Sequence, residues 1–121
     1  MAFRFEGTRI IGTRGDSGSL IFTAEDAGEF TDRDYLVFFL TRRESGGMVM
    51  TRAMQIDRDG RAALELSPGE TGALSPGMYI WSARYVLDAQ IDSEGNVTGG
   101  SWVDTPWRNC EFEVQEVNGR L

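Results

Sequence analysis

Apolar and polar residues alternate along most of this chain, and turn residues interrupt the alternation about every eight to twelve residues. In the segment 61–66, Ala62, Leu64 and Leu66 share one parity, and Arg61 and Glu65 lie on the other. Successive side chains of a strand point to opposite faces, so a period of two predicts strands with one buried face. No segment shows the period of roughly 3.6 that marks a long amphipathic helix. The sequence therefore predicts an all-β fold.

About seven segments fit the description of a strand. We expect strands at residues 8–13, 19–23, 34–43, 48–56, 61–66, 78–88 and 108–117. In the sixth of these, Tyr79, Trp81 and Ala83 share one parity and should point into the core. Their expected neighbours there are the inward residues of two other strands, Leu64, Leu66, Phe112 and Val114.

One segment has the signals of a helix start instead. Ser67 is a favoured N-cap residue, Pro68 follows it, and Glu70 lies three residues after the cap. This arrangement predicts one short helical turn near residues 68–74. Together with the strands, it predicts an immunoglobulin-like antiparallel β-sandwich of about seven strands with one short helical turn. A chain of 121 residues has the length of a single domain, here residues 1–121.

The charged residues exclude several classes of function. The formal net charge is −7, which disfavours nucleic acid and anionic membranes as partners. Histidine is absent, and all 12 basic residues are arginine, so histidine bases and lysine nucleophiles are excluded. The single cysteine, Cys110, cannot form an internal disulfide and is expected to be a buried structural thiol. We therefore expect no enzyme activity and no cofactor.

Two motifs that suggest chemistry have simpler interpretations as turns. The string Gly15-Asp16-Ser17-Gly18 surrounds the nucleophile of trypsin-like proteases, but that serine needs a histidine. The segments 57–60 and 92–96 resemble the start of a calcium loop, but they lack the flanking helices and the glutamate at the twelfth position. Both lie between alternating segments, where such residues form hairpin turns. We expect no metal site and no catalytic residue.

Two groups of residues are candidates for a protein interface. Residues 35–40 are apolar on both parities, so Tyr35, Val37 and Phe39 form a second apolar face. Trp102 and Trp107 lie in a segment that does not alternate cleanly, and tryptophan is enriched at interfaces. In the alternative interpretation, the first group belongs to a central strand covered by the loop 25–34, and the tryptophans close the end of the sandwich. The interface interpretation predicts association with a protein partner or with a second copy.

One stretch resembles a known family. The turn at 57–60, a strand, Ser67-Pro68-Gly69-Glu70-Thr71 and then Leu74-Ser75-Pro76-Gly77-Met78-Tyr79 lead into an aromatic strand. This order resembles the small immunoglobulin-like domains of phage and prophage tail proteins, such as the N-terminal domain of the phage baseplate upper protein. Arg14-Gly15-Asp16 before a strand is similar to the start of those domains. The resemblance covers about residues 8–117.

The resemblance implies a non-enzymatic structural or assembly module of a phage or prophage tail, which acts by protein–protein docking. Such a protein would be found in the bacterial cytoplasm before assembly and in the virion tail afterwards. An alternative function is a free-standing carbohydrate-binding module, in which Trp102, Trp107 and Tyr85 would form a stacking platform. Neither function involves nucleic acid or insertion into a membrane.

Overall fold

The computed structural model describes residues 1–23 and 30–116. Eight strands and one short helix follow one another along these residues. They are β1 (Arg4–Glu6), β2 (Arg9–Thr13), β3 (Gly18–Thr23), β4 (Tyr35–Arg42), β5 (Met48–Gln55), β6 (Arg61–Leu66), α1 (Pro68–Gly72), β7 (Gly77–Ile91) and β8 (Val97–Gln115). The prediction of an all-β fold with one short helical turn is confirmed.

The strands form two unequal sheets. The larger has the order β1-β2-β8-β7-β4-β5, and the smaller is the pair β3-β6. One detail of the predicted antiparallel arrangement is wrong, because β2 and β8 pair in parallel, with Ile10 opposite Phe112. No hairpin connects these two strands, so nothing local fixes their relative direction. An isolated bridge between Phe3 and Gly18 links the first sheet to the second.

The strand order is that of an immunoglobulin-like sandwich. In the larger sheet, the neighbouring strands β8, β7, β4 and β5 correspond to strands G, F, C and C′ of that fold. In the smaller sheet, β3 and β6 correspond to the pair B and E. Near the start of β7, the hydroxyl of Tyr79 donates a hydrogen bond of 2.8 Å to the backbone carbonyl of Ser75. A tyrosine at this corner, bonded to the backbone just upstream, is a hallmark of the fold.

The helix α1 begins as the sequence predicts. The Ser67 hydroxyl accepts a hydrogen bond from the Glu70 N–H at 3.1 Å, and the Glu70 carboxylate accepts one from the Ser67 N–H at 3.0 Å. This reciprocal pair satisfies two backbone donors that would otherwise lack partners. The Glu70 carboxylate also pairs with the guanidinium of Arg52 on β5, which links the helix to the edge of the larger sheet.

The core lies between the two sheets and is centred on Trp81. This indole is fully buried, and its Nε1 donates a hydrogen bond of 3.0 Å to the carbonyl of Thr8. The side chains predicted to surround it are all buried in one cluster: Leu64, Leu66, Tyr79, Ala83, Phe112 and Val114. Cys110 is only partly buried and packs against this cluster.

The last strand begins earlier than the sequence predicts. We expected it at residue 108, whereas β8 begins at Val97 and pairs with β7 along most of its length. Several shifts of register interrupt this pairing, and Asn109 has a positive φ of 54°. Because each bulge changes the parity of the residues that follow, the alternation in this segment is lost although the strand continues.

Candidate protein interface

The strand β4 gives the larger sheet two apolar faces. It lies between β5 and β7, so the prediction of a central strand is confirmed. Leu36, Phe38 and Leu40 point into the core, whereas the alternate residues face away from the second sheet. Partners in an antiparallel pair share a face, so this outer face also carries the residues of β7 opposite them. The pairs are Tyr35 with Val86, Val37 with Arg84 and Phe39 with Ser82.

Trp102 joins this outer face from β8. It lies opposite Val86, and its ring centroid is 6.1 Å from that of Phe39. The guanidinium carbon of Arg84 lies 4.6 Å from the centroid of the Trp102 ring, within the range of a cation–π contact. Two of the predicted interface residues are therefore neighbours in space although 63 positions separate them in the sequence. We call the following residues the outer aromatic face: Tyr35, Val37, Phe39, Arg84, Val86 and Trp102.

Exposure varies strongly across the outer aromatic face. Trp102 remains 39% exposed, and Tyr35 and Phe39 are half-buried. Val37 is only 1% exposed, so its prediction as a contact residue needs correction. Val37 therefore contributes almost no accessible area to this surface, and the fully buried Val86 contributes none. The accessible part consists of aromatic rings and the Arg84 side chain.

Trp107 lies on the opposite face of the sheet from Trp102. It is paired with Ala83, which points into the core. Its ring meets that of Phe22 edge to face, with 5.4 Å between the ring centroids. Its ring centroid is also 6.2 Å from that of Trp81, and the half-buried side chain packs against the core cluster. These contacts support the alternative interpretation for Trp107, in which it closes part of the core. They do not support its assignment to the same interface as Trp102.

A small pocket adjoins Trp107. It has a volume of about 280 Å³ and is lined by Thr23, Tyr85, Asp104, Pro106 and Trp107. Burial and the nearby Asp104 carboxylate raise the pKa of Tyr85, so its hydroxyl stays protonated as a donor. The predicted stacking platform of three aromatic residues does not form, because Trp102 faces the other side of the sheet.

The other motifs have structural roles. Gly15 has a positive φ of 88°, and the Asp16 carboxylate pairs with the N-terminal amine, so this segment is a turn. The Asp57 carboxylate accepts the N–H groups of residues 59 and 61, and that of Asp92 accepts those of residues 94 and 96. Both carboxylates therefore stabilise their own turns. Within residues 1–23 and 30–116, no group of three or more metal-ligating side chains is close enough to hold an ion.

Half of the loop 25–34, proposed as a cover for the apolar strand, lies outside the described residues, namely residues 25–29. At its end, the Asp34 carboxylate is buried and accepts hydrogen bonds from the N–H groups of Thr31 and Asp88. This carboxylate therefore connects the start of β4 to the hairpin formed by β7 and β8.

In the described ranges, no helix has the length and apolar character needed to cross a membrane. A comparison with protein-family models finds none that matches this chain. A comparison with curated proteins also finds no match.

Proposed function

We propose that this domain is a non-enzymatic structural or assembly module of a phage or prophage tail, which acts by protein–protein docking. Its docking surface is the outer aromatic face. It resides in the bacterial cytoplasm before assembly and in the virion tail afterwards. The single observation that carries the docking role is the exposed Trp102 beside the half-buried Phe39 on the outer aromatic face.

Aromatic area that stays exposed to water costs free energy, which binding to a partner recovers. Trp102 exposes 39% of its surface to water, and the half-buried ring of Phe39 lies beside it. Of the outer aromatic face, Trp102 is the residue that belongs to the exposed large hydrophobic side chains. Tryptophan also contributes strongly to interfaces, because it brings a large area with few rotatable bonds. The contact with Arg84 holds the indole in place before a partner arrives.

The assignment to a tail rests on the resemblance together with the fold. The immunoglobulin-like strand order and the Tyr79 corner agree with the type of domain that the sequence resembles. The genes beside this one supply an inexpensive test. Tail-tube, tape-measure and lysis genes next to it support the tail assignment, whereas an unrelated neighbourhood contradicts it.

The docking role is tested by light scattering on the purified domain at tens of micromolar, alone and mixed with each tail protein encoded nearby. We expect a complex that is lost in Trp102→Ala/Phe39→Ser, while melting curves show that the variant is still folded at the temperature of the assay. The matched control is Ile21→Ser, which removes an exposed apolar side chain from the smaller sheet. A domain that remains monomeric in every mixture contradicts the proposal.

A second candidate function, carbohydrate binding, is favoured by the pocket beside Trp107. The rings of Tyr85 and Trp107 line it together with the Asp104 carboxylate and the Thr23 hydroxyl, which can bond sugar hydroxyls. An oligosaccharide array followed by calorimetry with Asp104→Ala tests it. Binding that persists in Asp104→Ala, or no binding to any sugar, argues against this function.

A further inference from the structure

We infer that Arg84 is the anchor of the docking surface and that it binds a carboxylate of the partner. The partner is then a protein segment with an aspartate or glutamate next to an apolar side chain. This inference rests on the proposed docking function, because it assigns the chemistry of what the outer aromatic face receives.

The position of Arg84 is the first argument. Its guanidinium carbon lies over the indole of Trp102, 4.6 Å from the ring centroid. The N–H donors of a guanidinium point outward in its plane, and stacking on a ring leaves them available. The contact with the ring also restricts the motion of the guanidinium, which lowers the entropy cost of a two-point bond to a carboxylate.

The lack of an ion pair is the second argument. Five arginines form ion pairs within the described residues, namely Arg4, Arg9, Arg14, Arg33 and Arg52. Six other arginines in that part of the chain form none: Arg42, Arg43, Arg58, Arg61, Arg84 and Arg108. Arg84 is half-buried, whereas the other five are exposed. It is therefore the one unpaired arginine of this group that has lost much of its contact with water, and a carboxylate would compensate that loss.

The surroundings of Arg84 are the third argument. It is the only charged residue of the outer aromatic face. The residues of β5 opposite Tyr35, Val37 and Phe39 are also uncharged, namely Gln55, Ala53 and Thr51. The nearest acid on the same strand, Asp88, lies four residues away and pairs with Arg33. The six residues of the outer aromatic face thus carry one cation and no anion, although the chain has a net charge of −7. Among the described residues, Glu111 lies farther along the same side of the sheet, opposite Ile80.

This distribution of charge favours a different protein over a second copy. Two copies that met through the outer aromatic face would bring together two unpaired cations and no carboxylate. Their net charges of −7 would also repel each other. A single arginine is too little positive charge to hold nucleic acid on such an acidic chain. An acidic and apolar protein segment complements both the cation and the rings.

The experiment uses a displayed library of random 12-residue peptides, selected on the immobilised full chain. We expect the enriched peptides to carry aspartate or glutamate beside an aromatic or aliphatic residue. Fluorescence anisotropy then compares the best peptide with its version in which the acids are replaced by amides. Both the amide peptide and the Arg84→Met variant should bind at least about tenfold more weakly. Arg84→Lys, which keeps the charge, should recover part of the affinity, and Arg61→Met is the matched control on the smaller sheet.

The outcomes separate this inference from the docking proposal. If binding depends on Trp102 and Phe39 but is unchanged by Arg84→Met and by the amide peptide, the Arg84 inference is wrong and docking stands. If binding is unchanged in Trp102→Ala/Phe39→Ser, the docking surface itself is wrong. Selection of basic peptides, or of none, overturns the Arg84 inference. Melting curves of each variant show that the loss of binding is not a loss of fold.

Discussion

The rings of Phe22 on β3 and Trp81 on β7 meet edge to face across the two sheets, with 5.5 Å between their centroids. In antibody domains, a disulfide joins the corresponding strands, and its second cysteine lies two residues after the corner tyrosine. Trp81 has that position relative to Tyr79. Aromatic packing therefore joins the sheets where related folds use a covalent bond.

This relationship predicts a large cost for Trp81→Ala. The substitution removes a fully buried indole and leaves a cavity between the sheets, so the free energy of unfolding should fall by about 3–5 kcal/mol. Trp81→Phe should cost less, because it keeps a ring and loses only the bond to Thr8 and part of the volume. Urea unfolding measures both, with the exposed Ile21→Ala as control. An unchanged midpoint for Trp81→Ala would show that the indole does not hold the sheets together.

Gly12 is predicted to be irreplaceable because of Phe3. A Cβ atom at Gly12 would overlap the Phe3 ring, which is itself buried. Gly12→Ala should therefore cost about 1–3 kcal/mol by overpacking. In a Phe3→Ala background, the same substitution should cost almost nothing. Gly69→Ala in α1, where a Cβ atom would meet only Ser67 Oγ at 4.0 Å, is the control in thermal melts. Equal effects in the two backgrounds would disprove the steric explanation.

The pair Arg52–Glu70 predicts a pH dependence of stability. Burial acts to raise the pKa of Glu70, but the Ser67 N–H and the Arg52 guanidinium outweigh it and hold the pKa below its ordinary value of 4.5. The ionised carboxylate therefore stabilises the fold above pH 4.5, and this contribution is lost as the pH falls through the folded pKa. Glu70→Gln should be less stable at pH 7, by about 1 kcal/mol or less for a partly exposed pair.

The difference in stability between wild type and Glu70→Gln should shrink as the pH is lowered from 4.5. Melting curves at several pH values measure this difference. Arg52→Gln is the matched partner variant, and in that background Glu70→Gln should have a smaller effect. A gap between wild type and Glu70→Gln that stays constant down to low pH would contradict the role of the charge.

The two tryptophans on β8 should differ in how far their substitution affects stability and docking. Trp107→Ala should lower the free energy of unfolding by about 1.5–3 kcal/mol, because its ring packs on Phe22 and Trp81. Trp102→Ala should cost about 1 kcal/mol, mainly from its contact with Arg84, but should weaken docking. Chemical unfolding and the binding assay on the same two variants provide the comparison. If Trp102→Ala proved the more destabilising of the two, the assignment of their faces would be reversed.

Local chemistry alone determined much of this protein. The strands at 19–23, 34–43, 48–56, 61–66 and 78–88 follow from the period of two and lie within about three residues of their observed bounds, the end of β7 being the furthest off. The inward positions of Leu64 and Trp81, and the capping box of Ser67 and Glu70, also follow from the sequence. These features depend on residues within a few positions of each other. Regular alternation identifies the buried face of a strand as long as no bulge interrupts the strand.

Only the tertiary structure decided the rest. The parallel pair β2–β8 joins opposite ends of the chain, and no local signal determines its direction. The faces of Trp102 and Trp107 depend on shifts of register that lie between them, each of which changes the parity of the positions that follow. The contact of Arg84 with Trp102 and of Trp102 with Phe39 exists only because three strands lie side by side. The candidate interface therefore depends on strand pairing, which alternation along a single strand does not encode.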